Sequence, residues 1–185
     1  MPLYALGDRE PVIPASAFVH PDAVVIGAVT LGEQASVWPT AVLRADFGQI
    51  IVGERTSIQD GTIIHCIEEQ PTAIGADCVV GHNVHLEGCT VHDGCLIGSG
   101  SVVLNFASIG AGSVVGAGAV VTEHADIPAG SLAVGVPARA RPAPDEAAEW
   151  IRFGVDGYLT NSTVYRDQLR RLDRRESPTD ARRRE

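Results

Sequence analysis

An aliphatic residue followed by a small or polar one recurs about every six positions through two-thirds of the chain. The pattern starts at Ile26-Gly27 and Leu31-Gly32 and runs, with a break after Ile67, to Ile127-Pro128. Apolar stripes on α-helices recur every three to four residues, so this period argues against a helical domain. Six-residue self-similarity is typical of a parallel β-helix, in which each unit stacks on its neighbours to bury one continuous core.

The period also predicts which residues lie above one another. Three six-residue units make one triangular coil, so residues about eighteen apart occupy neighbouring rungs, roughly 4.8 Å apart. The aliphatic residue of each unit points inward, and the residues on either side of it point outward. The spacing of residues in the sequence therefore predicts which side chains lie next to one another on the outer surface.

The pattern divides the chain into four segments. Residues 1–12 are predicted to be a lead-in that packs across the first coil, and residues 13–137 the β-helix, with about seven coils. The β-helix is expected to end at Gly135-Val136-Pro137-Ala138, because proline cannot donate to a strand ladder. Residues 138–176 are predicted to be a C-terminal helical segment, with α-helix at 146–153, a break or kink at Gly154 and Gly157, and a second piece at 162–175. Residues 177–185 are predicted to be a disordered arginine-rich tail.

Composition narrows the class of protein. The chain has 185 residues and a net charge of −9, and the part before Arg166 is more acidic than the part after it. An acidic body argues against nucleic acid as a partner. The apolar stretches are too short for a signal peptide or a membrane span, so we expect no membrane partner and a cytoplasmic location. The four cysteines fit neither a zinc ribbon nor a redox pair, and are predicted to be reduced, buried residues.

Outward positions in the middle coils carry side chains suited to chemistry. Leu86 lies 22 residues after Ile64, and an out-pocketed loop at 68–71 accounts for the four residues beyond one coil. His65 and Glu87 are therefore predicted to be successive rungs of one outer column. The other outward candidates of these coils are Arg44, Gln59, His82 and His85.

A second irregularity lies close to this column. Leu43 and Val52 are nine residues apart, which predicts a three-residue bulge within 45–50, beside Arg44 and Asp46. An imidazole and a carboxylate at rung spacing suit zinc, which takes nitrogen and oxygen ligands. The alternative is that polar residues simply occupy outward positions of a solvated face, and spacing alone does not decide between the two.

The ordered motifs resemble the gamma-class carbonic anhydrases and their relatives over about residues 10 to 165. The resemblance implies a left-handed β-helix, and hence an all-β fold with a C-terminal α-helix. It also implies a homotrimer with a metal site at each interface between subunits. The motifs that carry it are Arg44-Ala-Asp46, Thr56-Ser-Ile-Gln59-Asp60-Gly61, Ile64-His65, Val80-Gly81-His82, Leu86-Glu87-Gly88-Cys89 and Gly135-Val136-Pro137-Ala138, with Trp150 and Tyr158 following.

In that family three histidines hold zinc, iron or cobalt, two from one subunit and one from its neighbour. The resemblance places the stacked pair on His65 and Glu87 and the neighbour's ligand on His82, so one expected histidine is missing. Either Glu87 ligates through oxygen, or His85 substitutes for it, since catalytic zinc sites of both compositions exist. The third alternative is that this branch of the family has lost its metal.

The remaining site residues follow from the same resemblance. Gln59 matches the glutamine that contacts the metal-bound water, and Tyr158 a tyrosine that overhangs the site. Arg44 with Asp60 matches an ion pair across the interface, and Asp46 belongs to the same motif. The acidic residue that follows this aspartate in the most active enzymes is replaced here by Phe47.

The resemblance implies metal-dependent, reversible hydration of carbon dioxide to bicarbonate. We expect this reaction to be slow for two reasons. Phe47 replaces the acidic residue of the most active enzymes, and a carboxylate ligand makes metal-bound water less acidic. Two alternatives stay open. One is an acyltransferase or thioester-acting protein of hexapeptide-repeat type, with His65 or His92 as general base. The other is a metal-free scaffold subunit.

Overall fold

Short parallel strands form the three faces of a left-handed β-helix of about seven turns. The computed structural model describes residues 2–172. The fold class predicted from the six-residue period and the resemblance is confirmed. Within residues 2–172, no helix has the length and apolar character needed to cross a membrane.

Two long strands run across a corner and belong to two faces. They are Val24–Leu31 (β3) and Val42–Val52 (β5). The face that we name face A contains their first halves together with Leu3–Tyr4 (β1), Ile63–His65 (β7), His85–Glu87 (β10), Val102–Val103 (β13) and Val120–Val121 (β16). Face B contains their second halves with Thr72–Ile74 (β8), Thr90–Val91 (β11), Ser108–Ile109 (β14) and Asp126–Ile127 (β17).

Face C is a separate sheet on the third side. Its strands are Phe18–Val19 (β2), Ser36–Val37 (β4), Ser57–Ile58 (β6), Val79–Val80 (β9), Leu96–Ile97 (β12), Val114–Val115 (β15), Ser131–Gly135 (β18) and Ala138–Pro142 (β19). All of them are parallel except β19, which pairs antiparallel with β18.

The inward aliphatic residues fill the interior as the period predicts. On face A, Leu43, Ile64 and Leu86 stack in register and are fully buried. From β7 onward, each short strand of face A places one aliphatic side chain in the core, so each coil adds a layer of the same kind. The rigidity of this column fixes the positions of the outward residues next to it.

The ladder of parallel strands ends at Gly135-Val136-Pro137-Ala138, as predicted from the sequence. After β18 the chain turns at Val136-Pro137, which has a cis peptide bond, and returns as β19. Residues 138–142 are therefore a strand, which corrects the prediction that the helical segment begins at 138. The lead-in lies across the first coil, with Leu3 opposite Val25 and Val12 opposite Thr30.

One continuous α-helix, Ala147–Gln168 (α1), replaces the two helical pieces predicted from the sequence. A break at Gly154 or Gly157, one of the two irregularities expected there, does not occur. A Cβ atom at Gly154 would lie 2.9 Å from Val79 Cγ2, so this glycine allows the helix to pack closely on face C. Packing offsets the low helix propensity of glycine, which amounts to about 1 kcal/mol. The part of the second piece beyond residue 172 and the tail at 177–185 lie outside the described residues.

Gly154 and Gly157 are expected to respond in opposite ways to larger side chains. Gly154→Leu should lower the free energy of unfolding by about 1–3 kcal/mol, because the new side chain meets Val79. Gly157→Ala should raise it by roughly 0.5–1 kcal/mol, because the added Cβ meets nothing within 4 Å and alanine favours the helix. Urea denaturation of the two variants checks both signs. Equal effects at the two positions would show that α1 does not pack on face C through Gly154.

Candidate functional site

His65 and Glu87 lie on adjacent rungs of face A, as residue counting predicted. Glu87 is opposite His65 in the parallel ladder between β7 and β10. The side chains are in contact, with His65 Nδ1 2.7 Å from Glu87 Oε1. The hydrogen bond from His65 lowers the pKa of Glu87, and partial burial opposes this without cancelling it. Glu87 is therefore a carboxylate that holds an imidazole.

Asp46 approaches the same imidazole from the bulge. The register between β3 and β5 passes from Gly27 opposite Ala45 to Val29 opposite Ile50, so residues 46–49 project from the ladder. This confirms the predicted three-residue bulge. Asp46 Oδ1 lies 2.8 Å from His65 Nε2. His65 thus has a carboxylate at each ring nitrogen: a neutral imidazole donates to one of them, and an imidazolium donates to both.

Arg44 is one of the partners that favour the ionised form of Asp46. It donates to Asp46 Oδ2 from the same strand, two residues away. Burial acts to raise the pKa of Asp46, but the hydrogen bonds from His65 and Arg44 outweigh burial, and the pKa is lowered. Arg44 therefore pairs with Asp46 within one subunit. The pair of Arg44 with Asp60 that the resemblance implies across an interface stays a prediction.

His85 and Phe47 complete the surroundings of His65. His85 is on the same strand as Glu87, and its Nε2 lies 3.4 Å from Glu87 Oε2. The ring of Phe47 meets that of His65 edge to face, with centroids 5.8 Å apart. Phe47 is more than half exposed. It gives the imidazole an apolar flank where the resemblance would place an acid.

The other predicted site residues gather at a different corner, between faces C and A. His82 Nδ1 lies 3.1 Å from Asp60 Oδ2, and both side chains are about half exposed. Gln59 directly follows the face C strand β6 and is buried. Tyr158, on α1, packs its ring against Trp38 with centroids 5.1 Å apart. Burial, helped by the charge of Asp60, raises the pKa of Tyr158.

The residues of a single subunit do not fit a zinc ion. Within residues 2–172, no group of three or more histidine, cysteine, aspartate or glutamate side chains is arranged to hold a metal. Both nitrogens of His65 already face carboxylate oxygens, and His82 lies at the other corner with Asp60. The expected interface site, with His82 supplied by a neighbouring subunit, stays a prediction.

Two residues of this site were missed by reasoning from sequence. Phe47 was noted only as the replacement of an acid, and its contact with His65 depends on the shape of the bulge. Arg9 donates to the backbone carbonyl of Asp46 from the lead-in. No spacing rule links it to Asp46, because the lead-in lacks the six-residue period. Only the three-dimensional course of the lead-in brings Arg9 to the bulge.

The cysteines are buried free thiols, as predicted. Cys66 lies beneath the bulge, where its sulfur accepts from the N–H of Gly48 at 3.3 Å. Burial raises the pKa of Cys66, and it raises the pKa of Cys89 to about 12. Thiols of this kind are poor nucleophiles, since the thiolate is the reactive form.

The native protein is therefore expected to resist thiol reagents. Ellman's reagent at pH 8 should release almost no thionitrobenzoate from folded protein and four equivalents per chain after unfolding in guanidinium chloride. Rapid reaction of one thiol in the folded state would contradict its burial. Cys66→Ser would then show whether the reactive thiol is the one beneath the bulge.

Comparison with known proteins places the chain among hexapeptide-repeat proteins. The model of the bacterial transferase hexapeptide (six repeats) matches residues 71–105 and 88–123. The Carnitine operon protein CaiE of Escherichia coli K12 is 37% identical over 159 residues, which cover 85% of this chain and 81% of CaiE.

Solved structures agree with this assignment. A proposed acetyltransferase of Bacillus cereus is 32% identical with a TM-score of 0.88, covering 90% of this chain and 98% of its own. A hexapeptide transferase family protein of Anaplasma phagocytophilum is 32% identical with a TM-score of 0.85, covering 91% and 98%. Perosamine N-acetyltransferase of Caulobacter crescentus, solved with CoA and GDP-perosamine, is 31% identical with a TM-score of 0.57, covering 66% and 55%. This chain belongs to the hexapeptide-repeat family that includes CaiE.

Proposed function

We propose that the protein transfers an acyl group from a coenzyme A thioester to an amine, with His65 as general base. The observation that carries the proposal is the geometry of His65 between two carboxylates, Glu87 at 2.7 Å and Asp46 at 2.8 Å. A carboxylate that accepts the N–H of one ring nitrogen fixes the tautomer and leaves the other nitrogen free to take a proton.

Each carboxylate has a separate role in this proposal. Glu87 lies on a regular strand, with Oε1 2.7 Å from His65 Nδ1. We assign the N–H of the neutral, reactive imidazole to Nδ1, which donates to Glu87, so Nε2 is the basic nitrogen. Asp46 lies on the projecting bulge, next to Nε2. An entering amine donates one hydrogen to the Asp46 carboxylate and one to His65 Nε2, and so takes the place of the direct contact between them. A carboxylate beside a base suits an amine because the amine has more than one hydrogen to donate.

The reaction then balances without a further reactant. The amine nitrogen attacks the thioester carbonyl carbon while its proton moves to His65 Nε2. The tetrahedral intermediate collapses and breaks the carbon–sulfur bond. The departing thiolate takes the proton from His65, which yields an amide and free coenzyme A and restores the neutral imidazole held by Glu87.

His92, the other general base considered from the sequence, is the weaker choice. It follows β11 on face B and is exposed. Within residues 2–172, no side-chain hydrogen bond or ion pair holds its imidazole. A general base needs a fixed tautomer and orientation, and of these two histidines His65 is the one with a carboxylate that supplies both.

The comparisons support acyl transfer rather than carbon dioxide chemistry. The Caulobacter crescentus relative is an N-acetyltransferase that binds CoA and an amino sugar nucleotide. That relative and the chain share only part of their lengths, so the acyl donor and the amine acceptor are proposals here.

Hydration of carbon dioxide is a second candidate. One observation favours it, since His65 and Glu87 lie on adjacent rungs, where the resemblance to gamma-class carbonic anhydrases requires two ligands. This candidate needs a homotrimer in which His82 of one copy meets His65 of the next, and a zinc ion between them. It therefore predicts zinc bound at interfaces, which acyl transfer by His65 does not require.

A thiol-release assay tests the first proposal. Purified protein is mixed with acetyl coenzyme A and a panel of amines, and free coenzyme A is followed against a water-only control. Amine-dependent release that saturates with amine supports the proposal, and release with water alone indicates a thioesterase. If neither occurs with short, branched or aromatic acyl thioesters, the protein is not an acyl-transfer enzyme, and the metal-free scaffold gains support.

A further inference from the structure

We propose that Arg9 is a positioning residue for the His65 site, so the lead-in is part of the site as well as a cover for the first coil. Arg9 donates from Nη1 to the backbone carbonyl oxygen of Asp46. The Asp46 carboxylate in turn contacts Nε2 of His65. Arg9 thus acts on the imidazole through the bulge, without touching it.

The lead-in is built to present Arg9 at this place. Leu3 and Tyr4 pair with face A, and Val12 pairs with Thr30, so both ends of the segment are tied to β3. Between them the chain makes a tight hairpin, in which Leu6 and Arg9 exchange backbone hydrogen bonds of 2.9 and 3.2 Å. The two anchored ends restrict where the hairpin can lie, and Arg9 stands at its end, facing the bulge.

The bulge needs such support because it lies outside the regular ladder. Residues 46–49 have no rung opposite them on β3, where the register jumps from Gly27 to Val29. The N–H of Gly48 reaches the sulfur of Cys66, which is a weak acceptor. Arg44 holds the side chain of Asp46 and Arg9 holds its backbone. With both bonds in place, the carboxylate has one position relative to His65 Nε2.

Such control matters for the proposed reaction, on which the kinetic part of this inference rests. A reacting group displaced by 1 Å costs about 10²-fold in rate, since proximity and alignment set the barrier. Arg9→Ala should leave the fold intact, because Arg9 is exposed and, within residues 2–172, bonds only to the bulge and its own hairpin. It should release the backbone of Asp46 and lower kcat roughly 10–100-fold, with KM for the acyl thioester little changed.

The experiment compares Arg9→Ala, Arg9→Lys and Asp8→Ala. Lysine can still donate to the Asp46 carbonyl, and Asp8 belongs to the same hairpin but forms no side-chain bond within residues 2–172. Two readouts are taken: steady-state kinetics of acyl transfer, and the side-chain ¹⁵N chemical shifts of His65, assigned with a His65→Asn reference. We expect Arg9→Ala to change the ¹⁵N shifts and kcat, Arg9→Lys to restore both in large part, and Asp8→Ala to change neither.

The ¹⁵N readout separates this inference from the proposed function. If the parent protein transfers no acyl group, the shifts still report whether Arg9 positions Asp46 at the imidazole. Unchanged His65 shifts in Arg9→Ala overturn the inference, whatever the rate does. Equal changes in Arg9→Ala and Asp8→Ala overturn it too, because they would indicate a general effect of the hairpin.

Discussion

Replacing His65 with asparagine is expected to lower kcat for acyl transfer by about 10²–10⁴-fold, the usual contribution of a general base. Asparagine places an amide N–H near the position of Nδ1, so the hydrogen bond to Glu87 is retained while the basic nitrogen is lost. Because the acyl thioester does not need the imidazole in order to bind, KM for the thioester should change little. Release of free coenzyme A, followed at saturating amine, measures the effect.

His92→Asn is the matched control for this variant. The two histidines differ in their partners, since His65 lies between two carboxylates and His92 is exposed on face B. The His92 variant should transfer at the parental rate. A large loss in His92→Asn with little loss in His65→Asn would move the general base to face B and remove the basis of the proposal.

Residue counting predicted the stacked pair because a β-helix converts sequence distance into position. Once the four-residue excess after Ile64 is assigned to a loop, Glu87 has only one possible rung, opposite His65. The same arithmetic found the bulge at 45–50. These predictions succeeded because they depend on backbone stacking, which the periodic core imposes on every coil.

Features that depend on side-chain contacts between distant segments were not predicted from the sequence. Glycine at 154 weakens an isolated helix, but contact with Val79 on face C reverses the outcome, and nothing in the local sequence reveals that contact. The bond from Arg9 to Asp46 joins residues 37 positions apart in segments of different character. Sequence periodicity has no information about such pairs.

The chemistry of the site was predicted from the sequence only in part. The sequence placed an imidazole and a carboxylate on one column, which suits either a metal site or a base held by an acid. The second carboxylate at His65 Nε2 appears only when the bulge folds over the column. This contact occupies His65 Nε2, and the described side chains of one subunit do not fit a zinc ion. For these two reasons we propose acyl transfer rather than the zinc chemistry implied by the resemblance.

Substitutions of Glu87 are expected to separate the two candidate functions most sharply. Glu87→Gln keeps the shape of the side chain but loses the charge that stabilises an imidazolium, so acyl transfer should fall by about 10²-fold or more. Glu87→His restores the histidine that the resemblance requires, and should tighten zinc binding relative to the parent while also losing acyl transfer. Transfer rates, zinc titration against a chromogenic chelator, and carbon dioxide hydration are measured on the same preparations.

His85→Ala is the control, because His85 contacts the same carboxylate at the longer distance of 3.4 Å. A partly exposed polar contact of this length contributes little, so its loss should change the transfer rate by less than about fivefold. Parental transfer in Glu87→Gln would show that Glu87 does not hold the base, and the acyl-transfer proposal would fall. Stoichiometric zinc in the parent that is lost in Glu87→Gln and kept in His85→Ala would instead favour Glu87 as a zinc ligand and carbon dioxide hydration as the function.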